Sequence, residues 1–231
     1  MEPETVSCGR GIRSFVIRAG RMSCAQKRSY ETLFPLYALD AAEAGPVESG
    51  ELFGNNGETV IEIGFGMGTA TAVIAEQNPG INYLGIEVHR PGIGRLLWEI
   101  EKRCLKNIRI IEGDAALILE KKIKDNSVSA FHIFFPDPWP KKRHHKRRLV
   151  TRPFTDLLAA KLLDGGYIYM ASDWDDYGAW ALRELSATPG LANKYSGFAE
   201  PQSWRPKTGF EKKGILKNHG IRELFFIKTG S

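Results

Sequence analysis

Along residues 58–228, short apolar runs alternate with stretches of helical spacing. Residues 58–63, 82–86, 108–111, 129–135, 167–171 and 221–228 read as strands. Between them, 69–77, 91–105, 115–122, 153–163 and 177–185 read as helices. In 91–105 the spacing places Ile93, Leu96, Leu97, Ile100 and Cys104 on one face. Asn78-Pro79-Gly80 stops the first of these helices, and Asp164-Gly165-Gly166 reads as a turn. The run 129–135 is apolar enough to be buried on both faces, as central parallel strands are. Upstream, Tyr30, Leu33, Phe34 and Tyr37 give 27–40 a helical period, and 44–57 reads as loop. Residues 1–26 read as a flexible basic arm, with Arg10, Arg13, Arg18 and Arg21 interleaved with glycines. One domain, 27–231, follows it. Strands alternating with helices across short loops predict an α/β fold with a doubly wound, mostly parallel sheet. Right-handed crossovers then bring the carboxyl ends of the parallel strands to one edge, where a ligand belongs.

Composition narrows this picture. A chain of 231 residues with 42% hydrophobic residues can bury one sizeable core. No run of about 18 apolar residues suggests a membrane span. The first residues, Met1-Glu2-Pro3-Glu4, lack the apolar segment of a secretory signal. Cys8, Cys24 and Cys104 form neither a disulfide framework nor a zinc pattern, so no metal is expected and a reducing cytoplasm is the default location. The formal charge is +5. Much of it is concentrated in Lys141, Lys142, Arg143, His144, His145, Lys146, Arg147 and Arg148, and no carboxylate follows Asp137 until Asp156. A solvated surface run is one reading. A run this dense repels itself, however, and phosphate is its natural complement.

The first strand ends in Glu62-Ile63-Gly64-Phe65-Gly66-Met67-Gly68. Glycines here let the backbone turn sharply into a helix and pass close to a ligand. The turn alone fits a nicotinamide or flavin dinucleotide, S-adenosylmethionine, or no ligand. Acids at successive strand ends discriminate. Glu62 lies inside the first strand end, Glu87 ends the second in the place of a ribose-binding acid, and Asp114 follows the third. Three carboxylates on one edge would repel a pyrophosphate. They suit a cofactor with a cationic sulfur, a cationic amino group and ribose hydroxyls, which favours S-adenosylmethionine over NAD.

The strand 129–135 leads into Pro136-Asp137-Pro138-Trp139-Pro140. Prolines cannot continue a ladder, so this is a stiff loop presenting one carboxylate and one indole. Methyltransferases acting on exocyclic amines of bases place a related Asn/Asp-Pro-Pro-aromatic loop here, and the cationic run begins directly after it. Asp173 and Trp174 follow the next strand. Spacing alone assigns no role to Thr208, Gly209, Phe210 and Glu211.

Together these motifs resemble the bacterial tRNA (guanine-N7)-methyltransferase family. The resemblance runs from Arg13-Ser14-Phe15 through the glycine turn, Gly85-Ile86-Glu87-Val88 and Asp137-Pro138-Trp139 to Phe210-Glu211. It implies a Rossmann-like class I methyltransferase fold with a seven-stranded sheet, and transfer of a methyl group from S-adenosylmethionine to N7 of the variable-loop guanosine 46 of tRNA. It implies cofactor contacts from Glu62, Gly64, Gly66, Gly68, Glu87, Asp114 and Asp137, with Asp137 also the active-site residue. Substrate contacts would come from Lys141, Asp173, Thr208, Gly209, Phe210 and Glu211, and RNA contacts from Arg143, His144, His145, Lys146, Arg147 and Arg148. The partner would be tRNA and the protein a monomer or homodimer. Gly209 stands where the family commonly has lysine, and Arg222-Glu223-Leu224 departs from its usual pattern. A nicotinamide oxidoreductase, a non-catalytic RNA-binding protein and an exocyclic-amine methyltransferase are the competing readings.

Overall fold

A computed structural model describes residues 14–16, 20–39, 45–206, 211 and 220–230. Helix α1 (Cys24–Tyr37) leads into β1 (Ala38–Leu39), and a short α2 (Ser49–Phe53) follows. The alternating part comprises β2 (Thr59–Ile63), α3 (Thr69–Gln77), β3 (Asn82–Glu87), α4 (Arg90–Arg103), β4 (Ile108–Glu112), α5 (Ala115–Lys122) and β5 (Val128–Phe134). A 3₁₀ turn (Lys142–Arg147) precedes α6 (Arg152–Lys161), β6 (Leu162–Ser172), α7 (Asp175–Ser186), β7 (Leu191–Asn193) and β8 (Arg222–Lys228).

The sheet order is β1-β4-β3-β2-β5-β6-β8-β7. All pairings are parallel from β1 across to β6, while β8 pairs antiparallel with β6 and β7. The chain progresses outward from β2 to β3 and β4, then returns to place β5 on the other side of β2. This reversal opens a crevice beyond the carboxyl ends of β2 and β5. Side chains alternate across the sheet: Phe131 and Ile133 pack with α5, α6 and α7, while Ala130 and Phe134 pack with α3 and α4. Burial of these two apolar faces supplies the main drive to fold.

Among the described residues the sheet has eight strands where seven were expected. Two-residue β1 and three-residue β7 are too short to generate a readable alternation. β1 also takes Ala38 and Leu39 from the expected helix, pairing them with Ile110 and Ile111. The N-cap Ser23 forms a reciprocal capping box with Gln26, so α1 starts before the expected domain boundary at residue 26. Cys104 is not on the buried face of α4: it is the exposed C-cap, at φ 55°. The turn expected at 164–166 is an irregularity inside β6, whose partners on β5 jump from Leu162 to Tyr167 between Val128 and Ala130. Gly165 takes φ 78° within it. No helix among the described residues is long and apolar enough to cross a membrane.

Candidate functional site

The glycine turn joins β2 to α3, with Gly64, Gly66 and Gly68 at φ 72°, 58° and 66°. Its freedom from side chains is required at two contacts with α4. A Cβ on Gly68 would lie 2.6 Å from Leu96 Cβ, and one on Gly92 would lie 1.9 Å from Gly66 O. The turn therefore rests backbone-to-backbone on α4. Glu87, at the end of β3, ties the same parts together. Its Oε2 accepts from Gly66 N at 2.8 Å, and its Oε1 accepts from Val88 N at 2.7 Å and His89 N at 3.0 Å.

Glu62 is 2% exposed near the end of β2. Burial pushes its carboxyl up to about 7; the Thr71 hydroxyl opposes the shift and the Glu87 charge adds to it. Thr71 Oγ1 is buried and within strict hydrogen-bond geometry of no atom among the described residues. Asp114 caps α5, its Oδ1 accepting from Ala116 N at 3.0 Å. It stands half-buried between Gly113 and Ala115, which line the cavity described next.

A cavity of about 620 Å³ occupies the crevice. Its lining includes Glu62, Gly64, Gly66, Glu87 and Asp137 together with Phe65, Met67, Phe134 and Phe135. Three carboxylates and no lysine or arginine are present among the described lining residues. In such surroundings a cation is stabilised and a pyrophosphate repelled. Ser14 and Phe15 also line this space, a contribution the basic character of the arm gave no reason to expect.

Asp137 is exposed at the cavity mouth, in a loop whose backbone is bent on either side of it. Phe135 and Trp139 have φ of 53° and 46°, a sparsely populated region for residues with side chains. Trp139 is not among the lining residues. Its Nε1 donates to Ser14 O at 3.0 Å, and the Arg147 guanidinium lies 4.5 Å from its ring centroid. The indole thus joins the arm to the cationic run.

The structure divides that run. Lys141, Lys142, Arg143 and Lys146 are exposed and His144, His145 and Arg147 half-buried, whereas Arg148 is 3% exposed. Arg148, expected among the RNA contacts, has a buried side chain and pairs with Asp176, which is 62% exposed. Asp173 follows β6 on the same edge as Asp137; the two strands are held side by side here by Phe135 N donating to Ala171 O at 2.8 Å. Neither Asp173 nor Lys141 lines the cavity.

Glu211 is also in the interior, 5% exposed, where both its oxygens accept from Arg205 at 2.7 and 3.2 Å. Glu211 was expected as a substrate contact; its carboxylate is paired with Arg205 in this structure. Thr208, Gly209 and Phe210 lie outside the described residues. Arg205 also pairs with Glu223 on β8, which accepts from the Tyr169 hydroxyl of β6. Burial alone would lower the Arg205 guanidinium, but its bonds to Glu211 and Glu223 outweigh this and leave it raised. Arg205 was missed because an isolated arginine in Trp204-Arg205-Pro206 carries no periodic signal.

A family model described as "Putative methyltransferase" matches residues 56–224. The "tRNA (guanine-N(7)-)-methyltransferase" of Nitrosomonas eutropha is 46% identical over 218 residues, covering 94% of this chain and 97% of its own. The chain belongs to the tRNA (guanine-N(7)-)-methyltransferase family. The "tRNA (guanine-N(7)-)-methyltransferase" of Paraburkholderia xenovorans is 44% identical over 229 residues, covering 99% of this chain and 88% of its own. Among solved structures, the 16S rRNA methyltransferase KamB superposes with a TM-score of 0.61 at 14% identity, covering 81% of this chain and 95% of that one, and so shares the fold. For this member of the tRNA (guanine-N(7)-)-methyltransferase family, the cavity passes a chemical test for S-adenosylmethionine. Its charged lining groups among the described residues are all acidic, and the volume of about 620 Å³ suits a small molecule, for which about 300–1,000 Å³ is usual.

Proposed function

We propose that this protein methylates N7 of a guanosine in tRNA, the variable-loop guanosine 46, using S-adenosylmethionine. The observation that carries the reading is the junction at the end of β5. A carboxylate facing an all-acidic cavity is followed, within one loop, by a 3₁₀ turn of exposed cations. A cationic small molecule and a polyanion are thereby directed to opposite sides of Asp137. Both parts come from one chain, in keeping with a monomer or a homodimer. The cytoplasm, where tRNA is processed, is the compartment this reading implies.

When bound, S-adenosylmethionine supplies a methyl group on a cationic sulfur. Glu62, Glu87 and Asp114 would hold it from three successive strand ends, and the open turn at Gly64 and Gly66, with Gly68 seated against α4, would let it approach the backbone. Guanine N7 has an in-plane lone pair and no proton, so no side chain need act as a base at the attacking atom. Asp137 would instead hold the base by accepting from the N1 or N2 hydrogens of guanine. Its charge also stabilises the positive charge that the base gains. Lys141, Asp173 and the segment 208–211 complete the guanosine site, with Glu211 anchoring that segment through Arg205. Lys146, Arg147 and Arg143 hold phosphates, aided by His144 and His145. Holding the reacting groups in line is worth about 7–11 kcal/mol in well-oriented systems.

The deciding experiment incubates the protein with labelled S-adenosylmethionine and unmodified tRNA, followed by borohydride–aniline treatment. Strand scission at the variable-loop guanosine is expected. Label transfer without scission would replace this reading with methylation of an exocyclic amine, and tRNA binding without transfer would leave an RNA-binding protein.

A further inference from the structure

Seven of the eight residues from 141 to 148 present themselves at least in part to solvent, and the eighth does not. The Arg148 side chain is 1% exposed. Its Nε donates to Pro138 O at 3.0 Å, and its Nη2 donates to His145 Nε2 at 3.1 Å and to Asp176. The guanidinium lies 5.1 Å from the ring centroids of both Tyr177 and Trp180 on α7. Two residues on, both backbone groups of Val150 are held by those same side chains. Val150 N donates to the Tyr177 hydroxyl at 3.2 Å, and Trp180 Nε1 donates to Val150 O at 2.7 Å.

These bonds have one geometric result. The chain leaves α7's neighbourhood at Pro138, carries its cations around the 3₁₀ turn, and returns at Arg148, where departure and return are joined. A loop bearing Lys141, Lys142, Arg143, Lys146 and Arg147 repels itself and would open without such a closure. Asp137 stands one peptide outside the joined neck. An Arg148 that bound phosphate would have to leave Asp176, Pro138 and two aromatic rings, the surroundings that keep its side chain 1% exposed.

We propose that Arg148 is a positioning residue that closes the neck of the 138–148 loop and fixes Asp137 relative to the phosphate-holding cations, and that it does not itself contact RNA. The proposal deepens the tRNA reading above and rests on it. Load placed on the loop by RNA is carried to α7 through Arg148, so the carboxylate keeps its place when the cations are engaged. A displacement on the order of 1 Å at such a site can cost about 100-fold in rate.

The test compares wild type with Arg148→Met, Arg148→Lys and Asp176→Ala, using tRNA binding across a salt series and single-turnover methyl transfer at saturating tRNA and S-adenosylmethionine. Lys146→Ala serves as the reference for a lost phosphate contact. Arg148→Met is expected to keep the wild-type salt slope while its single-turnover rate falls about 30- to 100-fold. Arg148→Lys, which keeps the charge but not the planar fork, should recover only part of that loss. Asp176 is 62% exposed and Arg148 keeps its bonds to Pro138 O and His145 without it, so Asp176→Ala is checked for folding by its unfolding midpoint and should slow transfer about 5- to 10-fold, again with an unchanged slope. A slope that drops by about 0.7–0.9 in Arg148→Met, as for Lys146→Ala, would make Arg148 a phosphate contact and overturn the proposal. So would wild-type rates in Asp176→Ala, the variant that decides the matter if Arg148→Met does not fold. An inactive wild type would instead remove the tRNA reading on which the proposal rests.

Discussion

The two halves of the sheet handle charge in opposite ways. On the β2–β3–β4 side, acids surround an open space. Among the described residues, Glu87 is bonded to backbone amides alone and Glu62 is buried without a cationic partner. On the β5–β6–β8 side, the buried charges are matched within the protein. Arg205 is held between Glu211 and Glu223, and Arg148 by Asp176, Pro138 and His145. The first arrangement leaves electrostatic capacity for a small cationic ligand. The second spends none on ligands and holds surfaces in place for a large one. A small molecule can be enclosed by its site, whereas a tRNA cannot, so its half must be rigid before the substrate arrives.

Four changes would break or sharpen this contrast. The largest effect is expected at Arg205→Met, which leaves Glu211 and Glu223 facing each other in the interior. A loss of about 3–5 kcal/mol is expected, read from denaturant unfolding. A loss below about 1 kcal/mol would show that this half is not held by its ionic network. Asp137→Ala should lower single-turnover transfer by about 100- to 1,000-fold while changing tRNA affinity little. A wild-type rate would remove Asp137 from the chemistry.

Glu62 comes next. Folding raises its carboxyl from the ordinary value to about 7, so the folded protein holds this proton more tightly than the unfolded chain. Its contribution to stability is present at pH below the unfolded value. It declines as pH rises to about 7, by at most on the order of 3 kcal/mol. Ligand-free Glu62→Gln should unfold with a flatter pH profile between roughly pH 4.5 and 7 than wild type. Binding S-adenosylmethionine to wild type near pH 6 should release a proton, measurable by calorimetry in buffers of different ionisation heat. Equal heats in both buffers would mean that Glu62 does not respond to the ligand. The smallest effect belongs to Lys146→Ala with Arg147→Ala. Two lost phosphates should flatten the salt slope of tRNA binding by about 1.4–1.8. An unchanged slope would return this stretch to a solvated surface.

The cofactor half was legible in the sequence because its features are local. A glycine turn between a strand and a helix, and acids at strand ends, are fixed by chain order once the sheet is parallel. Glu62 and Glu87 line one cavity for that reason, with Asp114 between two of its lining residues. Charge in the other half was legible only as composition. Which cation of an unbroken basic run turns inward depends on α7, almost 30 residues downstream, and Arg148 differs from Arg147 in nothing that spacing reveals. Glu211 was marked by its family motif, but its partner Arg205 is defined by packing against β8. The two shortest strands escaped because two or three residues cannot display an alternation.

Those short strands have a consequence for how the protein keeps its own company. A sheet of eight strands would ordinarily offer unpaired amides and carbonyls along both flanks, a template onto which another chain can add. Here one flank ends in Ala38–Leu39 and the other in Leu191–Asn193. Two or three residues are too few to nucleate a lasting intermolecular ladder. Among the described residues, the terminal strands thus guard against polymerisation by their brevity.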